Sequence, residues 1–177
     1  MKADLDKLKE SYLRYLKLYL ELQNPDGGLI RTFLDNWFAY KMKGNFLTKN
    51  NKPRWFNGLN TNKLSDTHKD CLLKMNFISK DAFEAINNKS NTRLMKDHSV
   101  PIKIIRMLLQ SDLSRSEKNI EKFLNKYYRL GVLTKEEDIR LNDIKLKSAM
   151  PQDWDGYDVF ARYKKAGIER AKPAKTF

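Results

Sequence analysis

Asp97-His98-Ser99-Val100-Pro101 places one of the chain's two histidines directly after a carboxylate and three residues before a proline. A neutral imidazole can accept a proton near pH 7, and an adjacent carboxylate can supply oxygen to a hard cation, so the pair has the makings of a hydrolytic centre. The same residues also suit a polar turn that caps a helix starting near Ile102. His68, in Ser65-Asp66-Thr67-His68-Lys69-Asp70, has no partner motif beside it and reads as a surface or cap-region histidine.

Whether Asp97 and His98 can act together depends on the elements that hold them. Residues 93–96 read as a strand leading into the pair, and Leu130-Gly131-Val132-Leu133 as a short buried strand. Thr134-Lys135-Glu136-Glu137 follows with the Thr-x-x-Glu pattern, in which a hydroxyl and a carboxylate satisfy free amides at a helix start. Strand, strand and capped helix, with Asp-His-x-x-Pro at the end of the first strand, resembles the HNH endonuclease superfamily over roughly residues 93–145.

That resemblance implies a metal-dependent DNA endonuclease in which Asp97 binds a divalent ion, Mg²⁺ by chemistry, and His98 is the general base that deprotonates water. The helix after the second strand would complete the metal site. It carries no histidine, but Asp138 and Asn142 lie one helical turn apart and either can offer oxygen. Glu137 is expected to be occupied by the cap. About thirty residues separate Pro101 from Val132, enough for two inserted helices. The alternative is a non-catalytic nucleic-acid-binding or regulatory protein that uses the same basic surfaces.

Composition favours a polyanionic partner. Lys and Arg number 35 against 22 Asp and Glu, a formal charge of +13, and such a field attracts nucleic acid. The imbalance is sharpest between Asp35 and Asp66, where no acidic residue occurs. Lys41, Lys43, Lys49, Lys52, Arg54 and Lys63 are interleaved there with Phe46, Trp55, Phe56 and several asparagines. Cations contact phosphates, aromatic rings stack on bases and amides read base edges, so this segment is expected to be a loop or hairpin that grips DNA, or RNA.

The remaining chain reads as helical. Leu5, Leu8, Tyr12, Tyr15, Leu16, Tyr19 and Leu22 form one stripe, and Ile30, Phe33, Leu34, Trp37, Phe38, Ala39 and Met42 a second, across a turn at 24–28. Helices are also expected from Ser65 through Cys71, Leu72, Met75 and Phe77, from Ser79 through Ile86, over 102–110 and over 116–128. The expected fold is therefore α+β and mostly helical. A helical annex with the basic aromatic loop spans 1–90, a two-strand-plus-helix metal-nuclease-like core with inserted helices spans 91–147, and a helical tail spans 148–177.

Several classes find no support. A lone Cys71 on an apolar face reads as core, gives no intramolecular disulfide and leaves no C-x-x-C zinc pair. There is no G-x-S-x-G elbow and no glycine-rich phosphate loop. The charged N-terminal stretch lacks a signal-like apolar block and no run approaches membrane-spanning length, so a cytoplasmic protein with no membrane partner is expected.

Overall fold

The computed structural model describes residues 4–22, 26–54, 58–88, 90–112 and 116–171. Among them are eight α-helices and one four-stranded sheet, an α+β fold dominated by helix. The chain forms two compact units, one built from residues 1–55 and 102–128 and the other from 56–101 and 129–177. This division differs from the expected one. The helices of 102–128 join the N-terminal helices, and the tail from 148 belongs to the unit that contains the sheet.

The first unit is helical. Helix α1 (Leu5–Leu20) begins where the Asp4 side chain accepts from the amides of Asp6 and Lys7, and α2 (Gly27–Met42) begins where Asp26 accepts from Gly28. Each cap satisfies amides that have no partner inside the helix. Helices α5 (Ile102–Gln110) and α6 (Glu117–Tyr127) complete this unit. Leu13 and Leu16 of α1, Ile30, Leu34 and Trp37 of α2, Ile105 and Leu109 of α5, and Ile120 and Leu124 of α6 are all buried. Lys9 pairs with Glu121 at 2.9 Å, tying α1 to α6 on the outside of that core.

The second unit contains the sheet, in the order β1 (Leu59–Asn60), β3 (Arg93–His98), β4 (Leu130–Thr134), β2 (Phe77–Ile78). Strand β3 runs antiparallel to both β1 and β4, and β2 runs parallel to β4. Helices α3 (Asp66–Leu73), α4 (Lys80–Asn88), α7 (Lys135–Asp143) and α8 (Ala161–Lys165) belong to the same unit. Phe77, Leu133, Leu141, Leu146, Tyr163, Ala166 and Ile168 form one buried cluster, so the C-terminal tail supplies core residues and is not an appendage.

Two local expectations change. The helix from Ser65 was expected to reach Phe77, but α3 stops at Leu73, and Phe77 and Ile78 pair with Gly131 and Val132 as a strand. An aromatic followed by a β-branched residue fits a pleated buried position, and the partner that selects it lies more than fifty residues away. Strand β3 was expected over 93–96, yet it continues through Asp97 and His98, because His98 stays in register with Leu130. Cys71 is fully buried, and His68 takes part in the capping box at Ser65, both in line with the sequence.

Candidate functional site

Strands β3 and β4 and helix α7 form consecutive pieces of one local structure. The register runs from Leu94 opposite Thr134 to His98 opposite Leu130. Helix α7 starts immediately at the end of β4. There the Thr134 hydroxyl accepts from the Glu137 amide at 3.2 Å, and Glu137 Oε2 accepts from the Thr134 amide at 2.8 Å. The same carboxylate oxygen accepts from the Ser79 hydroxyl at 2.5 Å, and burial pushes the Glu137 carboxyl above its usual value while the Ser79 bond opposes the rise. Glu137 is thus committed to the cap.

Because successive strand residues point to opposite sides of the sheet, the extension of β3 through His98 separates the two residues of the motif. Asp97 lies on the face where Leu133 meets Tyr163, and its carboxylate accepts from the Tyr163 hydroxyl at 2.8 Å. His98 lies on the other face, 7% exposed.

The Asp97 carboxylate is also ion-paired with Arg162, which is 1% exposed. The same guanidinium donates to the carbonyls of His98 at 2.6 Å, Ser99 at 2.9 Å, Leu146 at 2.7 Å and Lys147 at 3.1 Å. A planar five-donor fork suits such a convergence of oxygens, and a buried cation requires it. Burial and the Asp97 carboxylate together hold the Tyr163 phenol well above its ordinary value, with Arg162 opposing them. Gly131 faces Asp97 across the ladder, and a Cβ there would stand 2.8 Å from the Tyr163 hydroxyl. The tyrosine fills the space that the glycine leaves.

Asp138, in the first turn of α7, is buried and meets the ammonium groups of Lys135 and Lys147, both at 3.1 Å. Burial alone would raise its carboxyl, but these two cations outweigh burial and hold it below the usual carboxylate value. Asn142 is exposed near the end of the same helix. Asp97 and Asp138 therefore each have their own cation, and Lys147 connects them by offering its carbonyl to Arg162 and its ammonium to Asp138.

A divalent ion would need oxygens that converge and are unclaimed. Of the residues expected to hold metal and base, Asp97 and Asp138 are each ion-paired, His98 lies on the other face of β3 from Asp97, and Asn142 is exposed. Among the described residues, no group of three or more His, Cys, Asp or Glu side chains is placed to hold a metal ion.

The basic segment has a defined shape in the first unit. Phe46 and Leu47 are buried, Leu47 bridges to Pro53, and the Arg54 amide donates to the Phe46 carbonyl at 2.9 Å. Between them the Thr48 amide donates to the Lys52 carbonyl at 2.8 Å and the Asn51 amide to the Thr48 carbonyl at 2.9 Å. Asn51 has φ 58°, a left-handed conformation that asparagine tolerates. These bonds define a tight hairpin with the three-residue loop Lys49-Asn50-Asn51. Lys49, Asn50 and Lys52 are exposed, and no carboxylate among the described residues pairs with either lysine.

The other candidate cations differ. Lys41 bonds to Asn125 and lies 5.2 Å from the Trp37 ring centroid, and Lys43 pairs with Asp6 at 3.0 Å. Arg54 is half-buried, and its Nε is enclosed without a partner. Lys63 is exposed but belongs to the second unit, and Trp55 and Phe56 lie outside the described residues. Of the expected cations, the structure brings Lys49 and Lys52 together in one exposed tip.

Sequence reasoning missed Arg162, Tyr163 and Lys147. Arg162 and Tyr163 sit in an ordinary-looking basic helix, and their partner Asp97 is 65 and 66 residues away, so no local pattern marks them. Comparison with protein-family models, with curated proteins and with solved structures returns no match for this chain. Among the described residues, no helix is long and apolar enough to cross a membrane.

Proposed function

We propose that the chain is a non-catalytic nucleic-acid-binding protein that holds its partner electrostatically. The observation that carries this reading is the hairpin tip, where Lys49 and Lys52 stand exposed in a stretch with no acidic residue. Cations in such a place neutralise phosphates and release condensed counterions, which supplies affinity with a steep salt dependence. The net charge of +13 adds a long-range field of the right sign.

The non-catalytic half of the reading rests on the opposed faces of Asp97 and His98 and on the Arg162 pairing. A general base must reach its water, and a carboxylate bound to a buried guanidinium serves as a counter-ion. Fluorescence anisotropy with labelled duplex DNA and duplex RNA tests binding. Supercoiled plasmid incubated with Mg²⁺ or Mn²⁺, with and without chelator, tests cleavage. Binding without nicking is the expected result. Metal-dependent nicking that disappears in His98→Ala would overturn the non-catalytic reading in favour of an endonuclease, and no binding to either nucleic acid would remove the proposal altogether.

A further inference from the structure

Resting on that reading, the geometry points to a more specific partner: we infer that the 48–52 hairpin enters the major groove of duplex DNA, with Asn50 reading a base edge and Lys49 and Lys52 on flanking phosphates. The B-form major groove is about 12 Å wide and admits a two-stranded element, which a tight turn closed by the Leu47–Pro53 bridge can present to it. The A-form major groove of duplex RNA is deep and narrow and excludes it.

The chemistry of the tip separates duplex from single-stranded partners. Single-strand binding relies on exposed aromatic faces for stacking. Here Phe38, Tyr40 and Phe46 are buried, with Phe38 and Phe46 packed edge to face at 5.7 Å, so the described tip presents amides and ammonium groups only. An asparagine amide has one donor and one acceptor side, which match N6 and N7 of adenine in the major groove. Flanking ammonium groups suit phosphate oxygens as point charges.

The tip is also ordered in advance. Besides the cross-strand bonds, the Lys52 amide donates to the Thr48 hydroxyl at 3.1 Å, and the Tyr40 hydroxyl donates to the Asn51 carbonyl at 3.2 Å. Asn50 is exposed at the tip whereas Asn51 is half-buried, with its backbone carbonyl bound to Tyr40, so Asn50 is the amide better placed to read sequence. A loop held by backbone bonds and a tyrosine loses little freedom on docking.

The test uses the full chain and a pool of random 20-base-pair duplexes, from which bound sequences are enriched. Enrichment of an adenine-containing site is expected, with replacement of that adenine by 7-deazaadenine weakening binding about tenfold, since it removes only a major-groove acceptor. Asn50→Ala should lower the preference for the enriched site over a scrambled duplex about tenfold while leaving affinity for the scrambled duplex within about twofold. Lys49→Gln with Lys52→Gln should weaken both duplexes and reduce the salt slope by about 1.8, close to 0.9 per phosphate.

Tighter binding to single-stranded DNA or duplex RNA, or an Asn50→Ala protein that retains the full preference, would overturn the major-groove inference and leave the nucleic-acid reading standing. Absence of binding to every nucleic acid would overturn both. Circular dichroism on each variant confirms folding, which these exposed tip substitutions are expected to preserve.

Discussion

Arg162 and Asp97 form a nearly buried ion pair that joins α8 to the end of β3, and the same guanidinium takes up four backbone carbonyls. Removing the cation leaves a carboxylate and those carbonyls without their donor. Arg162→Ala is expected to cost about 3–5 kcal/mol, and Arg162→Lys a substantial part of that because a point charge cannot replace the fork. Urea denaturation at pH 7 measures both. A loss below about 1 kcal/mol for the alanine variant would show that the pair does not organise this region.

Gly131 and Tyr163 should be energetically coupled. A Cβ at 131 meets the Tyr163 hydroxyl at 2.8 Å, so Gly131→Ala is expected to cost about 1–3 kcal/mol through overpacking. In a Tyr163→Phe background the closest atom is gone, and the cost of Gly131→Ala should fall by at least about 0.5 kcal/mol. Equal costs in the two backgrounds would contradict the contact.

Stability should decline at alkaline pH. Burial and Asp97 raise the Tyr163 phenol, and burial and Asp35 raise that of Tyr128. For a raised folded value, the contribution is fully present below the unfolded phenol value near 10 and is lost as pH rises through the higher folded values. Melting temperature measured from pH 8 to pH 11.5 should therefore drop at the upper end, and Tyr163→Phe should flatten the drop. An unchanged slope in that variant would exclude Tyr163 as a source.

Asp138 should act at the acid end with the opposite sign. Although burial would raise it, Lys135 and Lys147 depress its carboxyl, so its contribution is present above the ordinary carboxylate value near 4 and disappears as pH falls through the lower folded value. Asp138→Asn should lower stability at pH 7 and reduce the further loss between about pH 5 and pH 2. Parallel acid-unfolding curves for variant and parent would rule out the assignment.

His98 should behave as a core residue. It is 7% exposed on the face of β3 opposite Asp97, so His98→Ala is expected to lower the melting temperature, with about 1–3 kcal/mol of stability lost, and to leave duplex affinity within about twofold. Differential scanning fluorimetry and anisotropy give the two readouts. A fully stable variant with altered nucleic-acid chemistry would reverse the interpretation.

What could be read from the sequence was what local physics determines. The cap at Thr134 and Glu137 and the buried run of β4 depend on spacings of two to four residues and have their counterparts in the structure, whereas the expected stripe of α1 holds only in part: Leu16 and Tyr19 are buried together with Leu13 and Leu20, while Tyr15 and Leu22 are exposed. Tertiary pairing decided the rest. Phe77 and Ile78 become a strand because β4 lies beside them, and Arg162 becomes the counter-ion of Asp97 because the tail folds into the sheet unit. The placement of Asp97 and His98 turned on a single non-local fact, that Leu130 keeps His98 in register. With the strand ended at Lys96, both side chains could have shared a turn. Two more residues of ladder impose the alternation of a pleated strand and send them to opposite faces.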